Sequence, residues 1–475
     1  MFADATLRTR VPVVVLVADG ARVDALTGDL ADLPALRRLR DEGGLYPVTT
    51  VFPSVTGPAY TPFLLGRFPG AVGIPGLRWY DRVRETCSWP DYARSYVGIQ
   101  FGRIDSDLAS DAPTVFDLVP DSIAALSVIT RGLARSRRMG TLTMRSVARV
   151  AVTHFRGNAE TWLDVDREAA DLIVRRSRDE RPDYVFGAFV GVDKGTHARG
   201  HASPLVHEAL RIVDDAAARL RADAERDGRW SDMHLWIVSD HGHSPVSAHE
   251  DLAGIVADTG VRTVAHPWSA GFGSQVAVMV SGNAMAHLYL DIHDTTRRWW
   301  PSLEGAWSAL AEVLLRRPAV DLLLLPHSAD RCEVRNGLRG TAIVSRRDGR
   351  YRYERTSGDP LLVGTDVEGT ADETHDLLRD ADYPDALVQI LALAGSARAG
   401  DVILSAAPGW DFRERYEPIP HVSSHGALHR DHMIVPLLTN RPARRIPRRT
   451  TDVFASTLAA LGVPARSVLD GVSWL

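Results

Sequence analysis

The stretch VPVVVLVAD, residues 11–19, is apolar from 11 to 17 and rich in β-branched side chains. A run of that kind, without polar alternation, predicts a central strand buried on both faces. Asp19 stands at its end. DLPALRRLRDEG, residues 32–43, spaces its leucines along one helical face and closes on Gly43 or Gly44, which predicts a helix returning across the sheet. The pattern repeats at YVFGAFVGVD, which ends at Asp193 and precedes an amphipathic stretch over 204–227. It repeats again at HLWIVSD, which ends at Asp240. HMIVPLL, residues 432–438, predicts a last core strand, with the helix TDVFASTLAALG behind it, opened by Thr451 or Asp452 and closed by Gly462. The alternation predicts an α/β fold with a doubly wound, mostly parallel central sheet and helices on both faces.

Two spans fit this alternation poorly. Residues 101–160 are rich in Arg, Ser and Thr, and 276–410 mix short strands such as AHLYLDI and RYRYER with Asp- and Gly-rich turns. Both read as insertions that cap a single domain spanning 1–475. The basic run over 131–149 reads as a solvated helix face.

Length and charge narrow the classes. A chain of 475 residues with 45% apolar content can bury a large core, and its net charge of -5 lacks the basic excess of a nucleic-acid binder. A nucleic-acid polymer is therefore not an expected partner. The two cysteines, Cys87 and Cys332, lie far apart and form no metal or redox word. The early apolar run is too short for a secretion signal, and no stretch approaches the roughly 18 apolar residues of a membrane span, so a cytoplasmic location is expected.

The chemistry concentrates where strands end. SDHGH, residues 239–243, sets the carboxylate of Asp240 beside the imidazole of His241 on a turn, where both can face one ion. GVDKGTHARGH places Asp193 and His197 four residues apart, with Gly195 between them to bend a loop; Lys194 and His201 lie close by without an argument for ligation. HVSSHGALHRDH carries His421, His425, His429 and His432; His425, before Gly426, reads as a ligand, and His429 and His432 as supporting or structural. In VFPSVTGPAYTPFLLGR, a Thr-Gly-Pro step leading into a helix presents Thr56, either as a helix cap or as a nucleophile. A metal beside its hydroxyl would lower the pKa. Ser54 is the rival nucleophile.

These words, in this order, resemble the type I phosphodiesterase/nucleotide pyrophosphatase family of the alkaline phosphatase superfamily. The resemblance covers about 12–80, 183–243 and 420–475. It implies one metal held by Asp193, His197 and His425, and another by Asp19, Asp240 and His241. It further implies that Thr56 is the nucleophile, bridges to the second ion and forms a covalent phospho-threonine. Two ions about 4 Å apart suit in-line displacement at phosphorus, and an Asp/His shell without sulfur suits zinc, with manganese as the alternative. The implied partner is a small-molecule phosphate ester.

The sequence departs from the family beside Thr56, where Phe-Pro-Asn gives way to Gly57, Pro58 and Ala59. The family's phosphate-binding Asn falls at Leu77, next to Arg78 and Trp79, and Arg78 becomes a candidate for the missing positive charge. The word T-G-P-A-Y also echoes sulfatases, but Thr56 cannot be converted to formylglycine and Tyr60 stands where that word needs Arg. A phosphomonoesterase, a phosphonate hydrolase, a phosphotransferase and a non-catalytic binding protein share this residue set and remain alternatives to the phosphodiesterase.

Overall fold

Val13–Ala18 is buried at all six positions, as its unbroken apolar run requires, and forms the middle of a seven-stranded sheet. The computed structural model describes residues 11–84, 92–140, 159–266, 273–413 and 421–475. In spatial order the strands are Leu45–Thr49, Ile434–Thr439, His234–Val238, Val13–Ala18, Tyr184–Phe189, Ser122–Ala125 and Arg138–Met139. Val13 sits opposite Tyr184 on one side and His234 on the other, both in parallel register. Ile434–Thr439 runs against its neighbours, and the remaining pairs are parallel.

Alternate residues of a strand face opposite layers. Val14, Leu16 and Ala18 pack with Leu36, Ile173 and Val213 from the helices Pro34–Glu42, Thr161–Glu180 and Pro204–Arg226. Val13, Val15 and Val17 share the other core with Phe63 and Leu64 of Thr61–Leu65 and with Phe454 and Leu458 of Asp452–Leu461. Burying the five large side chains of the central strand contributes on the order of 10 kcal/mol, so Asp19 leaves the sheet at a rigid point. The fold is α/β with helices on both faces of a mostly parallel sheet, as the sequence pattern predicts.

A second sheet has nine strands and is antiparallel at every pairing except its first, Thr263–Ala265 with Val276–Ser281. Trp300–Leu315 packs on one face and Ala386–Ala394 on the other. The span 276–410 is thus mostly a layered sheet rather than short strands between turns, and it is joined by a strand that precedes it. The span 101–160, expected as an insertion, supplies the edge strands Ser122–Ala125 and Arg138–Met139 to the main sheet. At four and two residues these strands are too short to show a period.

The described part of the basic run holds a single 3-10 turn, Arg135–Arg137, rather than a longer helix. Arg131 donates to the carbonyls of Leu108 and Ala109, and Arg138 to that of Leu133, so these guanidinium groups tie loops together. Residues 141–149 and Cys87 lie outside the described residues; Cys332 is a buried free thiol. Among the described residues, no helix is long and apolar enough to cross a membrane.

Candidate functional site

Three neighbouring parallel strands deliver the site at their C-terminal ends, where open α/β sheets bind ligands. Asp19 follows Val13–Ala18, Asp193 lies on the helix Gly191–Arg199 after Tyr184–Phe189, and Asp240, His241 and His243 follow His234–Val238. His425 follows the two-residue strand Ser423–Ser424, which pairs with Ser244–His249.

Asp193 and His197 sit one turn apart on a helix, not on a loop. Gly195 serves packing: a Cβ there would come within 3.2 Å of Val206 on the helix Pro204–Arg226. The helix start is held by Asp166, whose carboxylate accepts the N–H groups of Val190 at 2.9 Å and Gly191 at 2.7 Å. Burial pushes the Asp166 carboxyl up to about 7 despite those two bonds.

The donors form two adjoining groups. In one, Thr56 Oγ1 lies 3.2 and 3.3 Å from the two oxygens of Asp19 and 3.1 Å from Nε2 of His241. Nε2 of His241 is in turn 3.3 Å from Asp19 and 3.5 Å from Asp240. In the other, Oδ1 of Asp193 faces Nε2 of His243 at 2.9 Å, of His197 at 3.2 Å and of His425 at 3.6 Å. Lys194 binds the second oxygen of Asp193 at 2.8 Å, a partner that the sequence did not reveal. The structure therefore brings together all seven residues that the sequence singled out, and adds His243.

Ser54, the rival nucleophile, is fully buried and donates to the carbonyl of Ala427 at 3.0 Å, whereas Thr56 is partly exposed. Gly57, at φ +96° and ψ −77°, turns the chain sharply after Thr56, a conformation that requires glycine. Leu77 lies against that turn, its Cδ1 3.8 Å from where a Cβ on Gly57 would stand. Arg78 is buried in a two-stranded ribbon, opposite Ser95. His429 caps the short helix Arg430–Met433, and His432 accepts from the Ala427 N–H and pairs with Ser244 Oγ, so both are structural.

The electrostatics describe a pocket short of positive charge. Burial and the nearby Asp19 push the Asp240 carboxyl well up. Burial opposes charge on His241, but Asp240 and Asp19 outweigh it and raise that imidazole. For Asp193, burial is outweighed by Lys194 and the neighbouring histidines, which hold the carboxyl well below its usual range. Oδ2 of Asp240 is buried without a hydrogen-bond donor among the described residues.

The tautomers say how these charges are balanced. Nδ1 of His197 faces the carbonyl of Ser423 at 2.8 Å, that of His241 faces Gly242 O at 3.2 Å, and that of His425 faces Ser54 O at 3.0 Å. A carbonyl only accepts, so each neutral ring carries its proton on Nδ1 and turns the Nε2 lone pair toward a carboxylate. A lone pair facing a carboxylate oxygen at these distances marks a place for a shared cation, either a proton or a metal ion. Asp193, His241, His243 and His425 form one group with ligand atoms within 4.8 Å of one another, and Asp19, Asp240 and His241 form another. The residues fit divalent metal ions, with backbone carbonyls orienting the imidazoles.

His243 was missed because only the first histidine of SDHGH follows the strand directly. The signal was the alternation H-G-H, which sends two imidazoles to one place. Gly242 is required between them, since a Cβ there would lie 2.1 Å from the Asp431 carbonyl oxygen.

The model of the type I phosphodiesterase/nucleotide pyrophosphatase family matches residues 13–432. In structure the chain is similar to phosphonoacetate hydrolase from Sinorhizobium meliloti 1021 in complex with phosphonoformate, at 17% identity and a TM-score of 0.57, with 96% of each chain covered. It is similar to murine ectonucleotide pyrophosphatase/phosphodiesterase 5 at 14% identity and a TM-score of 0.59, with 97% of each chain covered. The human protein of the same name gives 15% identity, a TM-score of 0.59 and the same 97% coverage. No curated protein matches the sequence. At these identities the solved structures speak for the fold, and the match over most of the chain speaks for the family. This protein belongs to the type I phosphodiesterase/nucleotide pyrophosphatase family, metal-dependent hydrolases of phosphoric esters.

Proposed function

We propose that this enzyme hydrolyses small phosphate diesters through a covalent phospho-threonine on Thr56. Two divalent cations assist, zinc by the chemistry of the donors and manganese as the alternative. Asp193, His197 and His425 hold one; Asp19, Asp240, His241 and the Thr56 oxygen hold the other. The observation that carries this reading is the Thr56 hydroxyl itself, partly exposed and within 3.3 Å of both Asp19 oxygens and of Nε2 of His241.

When bound, the cations supply Lewis acidity that favours the deprotonated hydroxyl and neutralises charge on the phosphoryl oxygens. The chain's residues do the rest. The Thr56 proton leaves to water, because Nε2 of His241 and the Asp19 carboxylate would be engaged in holding the cation. Oγ1 forms a bond to phosphorus as the bond to the opposite ester oxygen breaks, and the departing alcohol takes a proton from water. A water molecule then cleaves the threonyl phosphate, restoring the hydroxyl and releasing a phosphate monoester. Arg78 is the candidate cation for a substrate oxygen. A fall in kcat/KM for Arg78→Ala with the fold intact supports that role, and an unchanged kcat/KM removes it.

The test is hydrolysis of bis-p-nitrophenyl phosphate against p-nitrophenyl phosphate, with zinc or manganese, by wild type and Thr56→Ala. A diester preference that disappears with Thr56 supports the reading. A monoester preference makes the protein a phosphomonoesterase, and turnover that survives Thr56→Ala rejects the nucleophile.

A further inference from the structure

The group around Asp193 contains one imidazole more than the proposed function uses. Nε2 of His243 is the nearest of the three nitrogens to Asp193 Oδ1, at 2.9 Å, and the side chain is fully buried. The usual account of such a contact is a hydrogen bond donated by the ring to the carboxylate. The surroundings of the other ring nitrogen argue against it. Ser423 Oγ donates its single proton to the Ser244 carbonyl at 2.8 Å, so it faces Nδ1 of His243, at 3.3 Å, as an acceptor. Nδ1 therefore carries the ring proton, and Nε2 of the neutral ring has none to give to Asp193. Two acceptors in contact at that distance in a dry pocket are unfavourable unless a cation joins them.

His241 lies within reach of this group too, but its nitrogens face other partners. Its Nδ1 is committed to Gly242 O, and its Nε2 to Asp19, Asp240 and Thr56. Nε2 of His243, of His197 and of His425 all converge on the same oxygen of Asp193. The main chain fits tightly around the His243 ring: a Cβ on Gly20, at φ +76°, would lie 2.8 Å from Nε2. The Gly after Asp19 thus keeps this nitrogen's surroundings clear of side chain.

We infer that His243 is a direct ligand of the ion at Asp193, giving that ion one carboxylate and three imidazoles; the inference rests on the two-metal reading proposed above. Four protein ligands close a tetrahedral site, whereas three leave a position for substrate. The ion at Asp193 is then the retained one. Substrate exchange falls to the ion beside Asp19 and Thr56.

The test loads the full-length protein with cobalt and counts strongly shifted, exchangeable ring N–H signals by paramagnetic NMR, because every histidine bound through Nε2 keeps its Nδ1 proton. The expected wild-type spectrum has one such signal each for His197, His241, His243 and His425. His243→Gln should lose one signal, and chelator competition should show its tighter site weakened beyond the roughly 10–100-fold that losing a supporting partner costs. A wild-type spectrum without the His243 signal overturns the inference, and this count needs no variant to fold. So does a His243→Gln protein that keeps every signal and loses less than about 10-fold in affinity; His243 would then be only a hydrogen-bond partner of Asp193. In either case, wild-type cleavage of bis-p-nitrophenyl phosphate that needs Thr56 leaves the proposed function standing. A chain that binds neither cobalt nor zinc overturns both.

Discussion

The rings of His241 and His425 lie face to face, centroids 3.7 Å apart and planes 8° from parallel. Each gives its Nδ1 proton to a different carbonyl and turns Nε2 to different carboxylates, His241 to Asp19 and Asp240 and His425 to Asp193. The stacked pair is the wall between the two donor groups. Two stacked imidazolium ions would repel in a buried space, and burial followed by the neighbouring His241 holds His425 well below the usual histidine range. One positive charge fits in this wall and two do not, so the carboxylates on either side call for metal rather than for protons.

Metal removal should therefore destabilise the protein. Asp19, Asp193 and Asp240 are all buried, and without cations burial and the nearby Asp19 push the Asp240 carboxyl well up. An ion present at 1,000 times its Kd contributes about 4 kcal/mol. Calorimetry at pH 7.5 should show the Tm falling by several degrees after chelation and returning with zinc. A Tm indifferent to chelator and zinc would reject the metal assignment.

Thr56 should carry phosphate during turnover. Acid quenching of the wild type with a 32P-labelled diester should leave label on the peptide containing Thr56. Thr56→Ala should give none and lose on the order of 10^6-fold in kcat, as for loss of a covalent nucleophile elsewhere. Thr56→Ser, which keeps the hydroxyl, should retain measurable turnover. Label recovered on another residue would relocate the nucleophile.

Gly242→Ala tests how the H-G-H turn is built. A Cβ would meet the Asp431 carbonyl oxygen at 2.1 Å, so either the turn carrying His241 and His243 or the main chain at Asp431 must shift. We expect about 1–3 kcal/mol of destabilisation, as for overpacking elsewhere, together with loss of bound zinc by elemental analysis. Full metal content at wild-type stability would mean that the turn is more tolerant than its geometry implies.

His287 lies outside the metal centre and reports on acid stability. Nε2 donates to the Pro75 carbonyl at 3.0 Å and Nδ1 accepts the Gly400 N–H at 3.1 Å, so a second ring proton has no place. Burial lowers this imidazole from 6.5 to about 4. Below pH 6.5 the unfolded chain takes up the proton first, so the contribution is complete above pH 6.5 and is lost as the pH falls toward 4. The shift corresponds to about 3 kcal/mol. In urea titrations at pH 7.5 and pH 4.5, His287→Gln should lose less stability than wild type over that interval by a comparable amount. Equal losses in the two proteins would refute the assignment.

The sequence by itself determined the strand ends and the donors on them. The all-apolar run before Asp19, repeated before Asp193 and Asp240, is legible because a strand covered on both faces must be apolar at every position. The chemistry is legible because metal ligation restricts side-chain type. Tertiary structure decided what depends on neighbours distant in sequence. Ser54 is removed from contention by the Ala427 carbonyl, more than 370 residues away. The tautomers of His197, His243 and His425 are set by Ser423 and Ser54, and that setting, not the residue type, aims Nε2 at a carboxylate. The nine-stranded sheet was hard to read because strands such as Arg350–Gly358, mostly exposed along their length, carry no strict alternation. Periodicity records which face is buried, and only the folded chain decides which buried groups meet.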